Sequence, residues 1–255
     1  MNGLRRWLGV ARERETLVRV SVVGALRTGT NYLKFLLESN YFVRAEFDAF
    51  GWKHGGVPIL PAAGRRSPYP DIPLFYVVKN PFAFVLSLHR YHRRKLDEGH
   101  RISLIAAHAW EAFVTSPIVI FDSQLPASPQ MRFANPVQYW NFIYWNLENL
   151  DRRHFRVHGL NYEDLVADPE RVRDVEQVVR LTRRHDALVT PGNALKRLAD
   201  RADDAPTERY ETKEMFDAGS YTTRRYMEAF TESQREFVRS EANPWLMERR
   251  GYGGF

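Results

Sequence analysis

A short loop near the start of the chain has the composition of a phosphate-binding site. The apolar run Leu17–Val23 predicts a buried strand, Gly24–Thr30 is rich in glycine and threonine, and a leucine-rich helical pattern covers Thr30–Ser39. Backbone N–H groups of a glycine-containing loop can approach an anion closely, and the start of the following helix adds the positive end of its dipole. The segment therefore predicts an anion site between a strand and a helix.

The cation of this loop differs from that of the nucleoside triphosphate-binding (Walker) pattern. Gly24 and Gly29 have the Walker spacing, but the next two residues are Thr30 and Asn31, where that pattern has Lys and Ser or Thr. Arg27 is the cation instead, and the next buried run, "FYVV", does not end in a Walker B aspartate. The loop thus predicts a phosphate held without a metal ion, while a strand-to-helix turn that binds nothing has the same composition.

A second strand-to-helix junction carries a lysine and a serine. Leu74–Val78 is an apolar strand that ends at Lys79, and Asn80 and Pro81 are favoured at the N-cap and first position of a helix. Ser87 comes eight residues after Lys79, about two helical turns along the same face. Two anion sites imply a ligand with phosphates at both ends of a nucleoside.

These motifs resemble those of the PAPS-dependent sulfotransferases (PAPS is 3′-phosphoadenosine 5′-phosphosulfate). That family has a basic-Ser/Thr-Gly-Thr loop, here Arg27–Thr30, and an Arg-Asp/Asn-Pro motif followed by a serine, here Lys79–Pro81 and Ser87. Lys79 replaces the usual arginine. The segment Tyr162–Glu170 and the terminal "RRGYG" extend the resemblance. It implies a P-loop NTPase-like sulfotransferase architecture and sulfuryl transfer from PAPS to an acceptor hydroxyl, with release of PAP.

The resemblance also implies roles for individual residues. Arg27 would stabilise charge on the oxygen between phosphorus and sulfur, Lys79 and Ser87 would anchor the 3′-phosphate, and Tyr162 would help to place the adenine. The 5′-phosphosulfate site would comprise Arg27, Thr28, Gly29, Thr30 and Asn31. A late 3′-phosphate contact is expected from one of four basic residues, Arg209, Lys213, Arg224 and Arg225.

The segment Phe50–Gly56, "FGWKHGG", supplies a candidate general base. A histidine with a pKa near its ordinary value of ~6.5 can take a proton from an alcohol at neutral pH, which assigns this role to His54. Lys53 precedes it directly, rather than with one residue between them as in many family members, and could neutralise charge on the sulfuryl oxygens. A carboxylate, Glu46 or Asp48, is the alternative base, and a surface histidine without function is the other reading.

Buried strands that alternate with helices predict an α/β fold with a parallel sheet flanked by helices. We expect one domain over 1–255, with a basic N-terminal segment at 1–15 and a mobile surface segment at 199–221. The further predicted elements are strands at Tyr41–Phe47 and Phe155–Leu160, helices at Pro81–Leu96, His100–Ser116 and Val137–Leu150, an irregular stretch at Pro117–Pro136, and a last helix that a Thr231–Gln234 capping box begins and that runs to Arg249.

Composition excludes several classes of site and of protein. The chain has no cysteine, which excludes disulfides, thiolate metal ligands and a cysteine nucleophile. No apolar stretch reaches the ~18 to 20 residues of a membrane span, and we expect a cytoplasmic protein. His89 and His92 have no third ligand at a plausible spacing, so no metal site is predicted. The aromatic helix, with Trp140, Tyr144 and Trp145, could pack in the core or line an acceptor pocket.

The net charge of +6 suits a polyanionic partner. The acceptor could be a saccharide, a lipid-linked glycan or a small metabolite, and a basic surface is compatible with contact to a membrane surface. Competing hypotheses are a metal-dependent P-loop small-molecule kinase, a basic nucleic-acid-binding domain, and a relative of the sulfotransferases that binds nucleotide without turnover. We expect no specific nucleic-acid partner, because such a partner explains the charge but not two phosphate motifs.

Overall fold

The computed structural model describes residues 17–58, 69–125, 129–190 and 218–254 of the chain. The predicted segment 1–15, Arg209, Lys213 and residues 199–217 of the predicted surface segment lie outside the described residues. Numbered along the chain, the strands are β1 (Val18–Val23), β2 (Val43–Glu46), β3 (Leu74–Val78), β4 (Leu104–Ile105), β5 (Ile118–Ile120), β6 (Met131–Phe133) and β7 (Val157–Asn161).

Helices separate the strands along most of the described chain. They are α1 (Thr30–Asn40), α2 (Pro81–Asp97), α3 (Trp110–Thr115), α4 (Pro136–Glu148), α5 (Tyr162–Ala167), α6 (Ala218–Thr222), α7 (Glu232–Glu241) and α8 (Pro244–Arg249), with 3-10 helices at Pro169–Gln177 and Arg225–Ala229. None of the helices in the described ranges has both the length and the apolar character that a membrane span requires.

Four parallel strands form the central sheet in the order β2-β1-β3-β7. In register, Val18 pairs with Val43, Ser21 with Leu74, and Leu74 in turn with Val157. The chain moves from β1 outward to β2 and then returns to the other side of β1 for β3. The sheet therefore reverses its direction of growth between β1 and β3, which is where open α/β sheets bind ligands at their carboxyl ends.

Both faces of the sheet are covered by helices. Phe75 and Val77 of β3 belong to a core that includes α1, whereas Tyr76 and Val78 belong to a second core that includes α2 and α4. Every residue of β3 is buried, as expected for a strand of a parallel sheet enclosed on both sides. The predicted α/β class, with a parallel sheet flanked by helices, is confirmed.

The predicted start of α2 is also confirmed. The Asn80 side chain accepts a hydrogen bond of 3.0 Å from the backbone N–H of Phe82, and Pro81 is the first helical residue. The helix thus begins two residues after Lys79, which directly follows Val78, the last residue of the strand. This junction fixes Lys79 at the carboxyl edge of the sheet.

The prediction of a helix over 100–116 is confirmed only for Trp110–Thr115, and that of an irregular segment over 117–136 is wrong where two strands form. Part of this region forms a small antiparallel sheet in the order β4-β5-β6, and a helix begins only at Trp110. Leu104 pairs with Ile120, and both side chains are buried. Pairing between distant residues, which a local pattern does not reveal, outweighs the helical spacing of the first segment.

The last predicted helix is two helices. The capping box of Thr231 and Gln234 is present and begins α7 as predicted. The helix ends at Glu241, and α8 begins at Pro244 with Asn243 as its N-cap. Proline lacks the N–H that a helix interior requires and its ring clashes with the preceding turn, so the chain restarts there.

Candidate functional site

A cavity of about 920 Å³ lies at the carboxyl ends of β1 and β3. Its wall comes from the loop after β1, the start of α1, the loop after β2, the exposed side of α2, the first residue of α5 and residues 220–226. This is the point where the sheet reverses its direction of growth, so the fold and the cavity indicate the same place for a ligand.

The wall of the cavity is strongly basic. Among the residues that the structure describes, its charged side chains are all cationic and no carboxylate lines it. An environment of this kind favours a ligand with several negative charges. The cations are Arg27, Lys53, Lys79, Arg90 and Arg94, and His54 lies with them.

The loop after β1 is closed by its own threonine. The buried Thr28 hydroxyl donates a hydrogen bond of 2.8 Å to the carbonyl of Ala25, and Thr28 does not line the cavity, whereas Gly29, Thr30 and Asn31 do. The Thr28 side chain therefore holds the shape of the loop, and the place of Thr28 in the phosphosulfate site stays a prediction.

Gly29 and Tyr162 form the contact that joins the loop to α5. Gly29 precedes α1 with a φ of 97°, and a Cβ at this position would lie 2.3 Å from Cδ2 of Tyr162. Only glycine permits both the backbone conformation and this approach. The sequence thus places the ring of Tyr162 directly over the start of α1, at the wall of the cavity.

Arg27 is a half-buried cation without a carboxylate partner among the described residues. Its backbone has a φ of 66°, its guanidinium lies 5.2 Å from the centre of the Tyr91 ring, and its Nε makes no hydrogen bond to the described chain. Burial, and after it the positive charge of Arg94, lowers the pKa of Arg27. A charge held in this way is costly unless an anion compensates it, so the unpaired Nε donor indicates an anionic ligand.

His54 is a buried histidine whose ring is held in one orientation. Its Nδ1 lies 2.7 Å from the carbonyl oxygen of Gly24, and because a carbonyl only accepts, Nδ1 carries the proton and Nε2 the lone pair. Burial, followed by the charge of Lys53, lowers the pKa of His54 to about 3. The imidazole is therefore uncharged at neutral pH, but the expectation of a pKa near the ordinary value is wrong: burial makes His54 a weaker base in the free protein than the sequence predicted.

Lys53 lies between the two loops that bound this end of the cavity. Its Nζ donates a hydrogen bond of 3.2 Å to Oδ1 of Asn31 and lies 3.4 Å from the centre of the Phe47 ring. Burial, and then the charge of Lys34, lowers the pKa of Lys53 to about 8. At neutral pH this side chain is mostly protonated, so it carries a positive charge that can attract an anion.

The two alternative bases are not in the wall of the cavity as far as the structure describes it. Glu46 instead accepts hydrogen bonds of 2.9 and 2.8 Å from the Arg19 side chain of the neighbouring strand β1. Asp48 lies in the loop beyond β2. The structure thus brings His54, and neither carboxylate, to the cavity with Arg27.

Lys79 is buried between two tyrosine rings. Its side chain is 3% exposed, its Nζ donates a hydrogen bond of 3.3 Å to the Tyr221 hydroxyl, and it lies 4.1 Å from the centre of the Tyr162 ring. Burial lowers the pKa of Lys79, and the negative charge of Glu163 partly offsets this effect. Glu163 is itself held by the backbone N–H of Asn80 at 3.0 Å.

One face of α2 forms a long wall of the cavity. Ser87, Arg90, Tyr91 and Arg94 all line it, with the spacing of three, four and seven residues that places side chains on one helical face. The sequence analysis singled out only Ser87, although the same spacing was visible in "SLHRYHRR". His89 and His92 point to the other side, where His89 contacts the carbonyl of His108 at 2.9 Å.

The wall at residues 220–226 was missed by the sequence analysis. Ser220, Tyr221 and Tyr226 line the cavity, and the ring of Tyr221 packs edge-on against Tyr162 with 5.0 Å between centroids. Tyr221 ends the segment expected to be a mobile surface, but it is part of the site. Arg224 and Arg225 are described and lie outside the cavity wall.

Helix α4 supports the site from behind. Trp140 donates a hydrogen bond of 2.8 Å to the Lys79 carbonyl, and the Tyr139 hydroxyl donates one of 2.9 Å to the His54 carbonyl. Tyr144 is fully buried and bonds to the carbonyl of Val77 at 2.7 Å. Trp140 and Tyr144 are therefore core residues rather than an acceptor surface, and Trp145 is half exposed against Trp245.

No protein-family model matches this chain, and no protein of curated function matches it either. The geometry and charge of the cavity are therefore what indicate its chemistry. Within the described ranges, no group of three or more His, Asp and Glu side chains could hold a metal ion.

Proposed function

We propose that this protein transfers a sulfuryl group from PAPS to a hydroxyl group of an acceptor and releases PAP. One observation carries the proposal: a single basic cavity at the switch point of the sheet contains both predicted anion motifs, Arg27 with the start of α1 at one and Lys79 with Ser87 at the other. Tyrosine rings lie around Lys79, which suits a flat purine between two phosphates.

Different residues of the cavity would have different roles in this reaction. Backbone N–H groups at Gly29 and Thr30, with Arg27 and Lys53, would hold the phosphosulfate and stabilise the charge that develops on the leaving oxygen. Lys79 and Ser87 would hold the 3′-phosphate. PAPS supplies the activated sulfuryl group, and these contacts would fix its position so that the acceptor attacks in line.

His54 would complete the step as a general base. The acceptor oxygen forms a bond to sulfur while the bond between sulfur and the phosphate oxygen breaks and its electron pair remains on PAP. The acceptor proton goes to Nε2 of His54, whose ring is oriented by the bond from Nδ1 to Gly24. An anion beside Arg27 and Lys53 offsets part of the positive charge that lowers the pKa of this histidine.

Calorimetric titration with PAP, 5′-AMP and ATP with Mg²⁺ tests the donor site. We expect micromolar or tighter binding of PAP and at least tenfold weaker binding of 5′-AMP, because a charged hydrogen bond contributes about 1.5 to 3 kcal/mol. Ser87→Ala should weaken the binding of PAP and leave the binding of 5′-AMP unchanged. Arg93→Ala is the matched control, since Arg93 is exposed on the same helix and does not line the cavity.

Two outcomes would overturn the proposal. Equal binding of PAP and 5′-AMP would remove the 3′-phosphate site, and Mg²⁺-dependent turnover of ATP would favour the kinase hypothesis. Transfer of labelled sulfur from PAPS to a panel of hydroxyl compounds then tests the chemistry, and His54→Ala should reduce it by 10²-fold or more as a general base requires. Full activity of His54→Ala would assign the base elsewhere.

A further inference from the structure

The cavity contains two arginines beyond the cations that the donor requires. Arg90 and Arg94 line it from α2, and neither forms a salt bridge or a side-chain hydrogen bond with any residue in the described part of the chain. Other surface arginines of the described chain, such as Arg153 and Arg183, are paired with carboxylates at 2.7 and 2.8 Å. Positive charge that faces a cavity without such a partner indicates an anionic ligand.

The two arginines lie at different distances along α2 from Ser87, the proposed contact of the 3′-phosphate. Arg90 follows Ser87 by three residues, less than one helical turn, whereas Arg94 follows it by seven. Arg94 lies three residues after Tyr91 on the same face of α2, and the centre of the Tyr91 ring lies 5.2 Å from the Arg27 guanidinium. Arg94 therefore lies at the end where the sulfuryl group would be transferred and where the acceptor must approach.

We propose that Arg94 binds an anionic group on the acceptor, so that the substrate is a hydroxyl compound that carries a carboxylate, a sulfate or a phosphate. This inference rests on the proposed function. A guanidinium presents a planar fork of donors that matches these groups with two hydrogen bonds. The acceptor is then held at two points, with its anionic group at Arg94 and its hydroxyl at His54.

The position of Arg94 on a helix makes it suitable for selecting a substrate. It lies seven residues after Ser87 on the same face of α2, so the distance between the 3′-phosphate site and the acceptor site is fixed by about two turns of one rigid element. Arg27 and Arg94 also repel each other. A donor and an acceptor that are both anionic would offset this repulsion, which a neutral acceptor would only partly relieve.

Binding to PAP-saturated protein tests the inference without requiring turnover. The probes are matched pairs, phenol with para-hydroxybenzoate, methyl glucoside with methyl glucuronide, and glycerol with glycerol phosphate, together with inorganic phosphate. We expect at least one charged member to bind tenfold or more tightly than its neutral partner. Arg94→Ala should reduce that preference by about tenfold to a hundredfold, the effect of one or two charged hydrogen bonds.

Arg93→Ala is the matched control and should keep the wild-type preference, because it removes the same charge from the same helix outside the cavity. The inference is overturned if no charged member is preferred, or if Arg94→Ala keeps the preference. It is also overturned if Arg94→Ala weakens the binding of PAPS as strongly as the binding of the charged probe, because Arg94 then belongs to the donor site.

The affinity of the wild-type protein for PAP separates this inference from the proposed function. Failure of PAP to bind contradicts sulfuryl transfer itself. Tight binding of PAP together with equal binding of charged and neutral probes leaves the donor site in place and contradicts only the acidic acceptor.

Discussion

Gly29 is the residue on which both the loop after β1 and its contact with Tyr162 depend. Replacement by alanine combines an unfavourable φ of 97° with a Cβ placed 2.3 Å from the Tyr162 ring. A left-handed backbone costs an L-residue about 1 to 2 kcal/mol, and an overpacked contact costs about 1 to 3 kcal/mol more. We expect Gly29→Ala to lower the free energy of unfolding by about 2 to 5 kcal/mol in urea denaturation. The variant should also bind PAP more weakly.

Gly99→Ala separates the two contributions to that loss. Gly99 has a φ of 64°, and no atom beyond its chain neighbours lies within 4 Å of its Cβ position, so this variant measures the backbone cost alone, about 1 to 2 kcal/mol. Equal losses for the two variants would show that the Tyr162 ring moves aside without cost, and the assignment of Gly29 as a close-approach position would be wrong.

Lys79 should make binding of the 3′-phosphate depend on pH. Burial lowers its pKa below the ordinary value of ~10.4, so the free protein loses this charge at a lower pH than an exposed lysine would. An anion prefers the protonated form, hence PAP should bind more weakly as the pH rises from 7 to 9. Lys53, with a pKa of about 8, should contribute to the same trend at the other end of the site.

Lys79→Arg tests which lysine is responsible. Arginine stays charged at these pH values, so the variant should show a shallower fall of PAP affinity, measured by calorimetry from pH 7 to 9. The pH dependence for 5′-AMP, which reports on Lys53 without the 3′-phosphate, should be the same in both proteins. A Lys79→Arg profile as steep as that of the wild type would contradict the role of Lys79.

The C-terminal helix is joined to the sheet by a buried ion pair. Glu148 of α4 has a side chain that is 1% exposed, and it pairs with Arg249 at 2.7 Å and with Arg250. Arg250 also bonds to the Gly159 carbonyl at 3.1 Å. Glu148→Ala leaves a nearly buried cation without its partner, and we expect a loss of about 3 to 5 kcal/mol in the free energy of unfolding.

An exposed ion pair provides the control for this effect. Glu232 of α7 bridges Arg239 at 3.1 Å and Arg235 at 3.3 Å, but its side chain is 62% exposed. Glu232→Ala should cost no more than about 1 kcal/mol in the same urea titration. If both variants lost the same free energy, burial would not be what distinguishes the two pairs.

The junctions of the parallel sheet could be predicted from sequence because their signals are local. The strand before Lys79 is a short apolar run, and Asn80 with Pro81 marks the start of a helix in three adjacent residues. Asn135 and Asn243 precede Pro136 and Pro244 in the same way, and both cap helices by accepting from backbone N–H groups at 2.9 and 3.1 Å. The break before α8 was therefore visible in the sequence but was not used.

The small sheet and the tyrosine wall could not be predicted in this way. Leu104 of β4 pairs with Ile120 of β5, which lies between β4 and β6 in the sheet. The two residues are sixteen positions apart in the chain, so no local pattern indicates that they pair. Tyr221 is 142 residues from Lys79 and lies beside polar sequence. Its part in the site depends on how the whole chain folds back over α2 and α5.

The order of the strands decides where the scattered motifs meet. Thr30, at the end of the loop after β1, and Lys79, just after β3, are 49 positions apart in the chain. Both border one cavity because β1 and β3 are neighbours in the sheet. Sequence motifs predicted two anion sites, and the topology places them on either side of the switch point. The cytoplasmic location expected from composition stays a prediction.

Because the cavity wall draws on segments from Leu26 to Tyr226, a ligand that fills it should stabilise the molecule as a unit. At a hundredfold excess over its Kd, PAP should add about 2.7 kcal/mol to the free energy of unfolding. For a chain of 255 residues, about 2 to 4 °C per kcal/mol gives a rise in Tm of roughly 5 to 10 °C. Scanning calorimetry with 5′-AMP at the same concentration, and with Ser87→Ala, should show a markedly smaller rise. A duplex DNA that raised the Tm at low salt as much as PAP does, and lost its effect steeply as salt was added, would instead favour the nucleic-acid hypothesis for this basic protein.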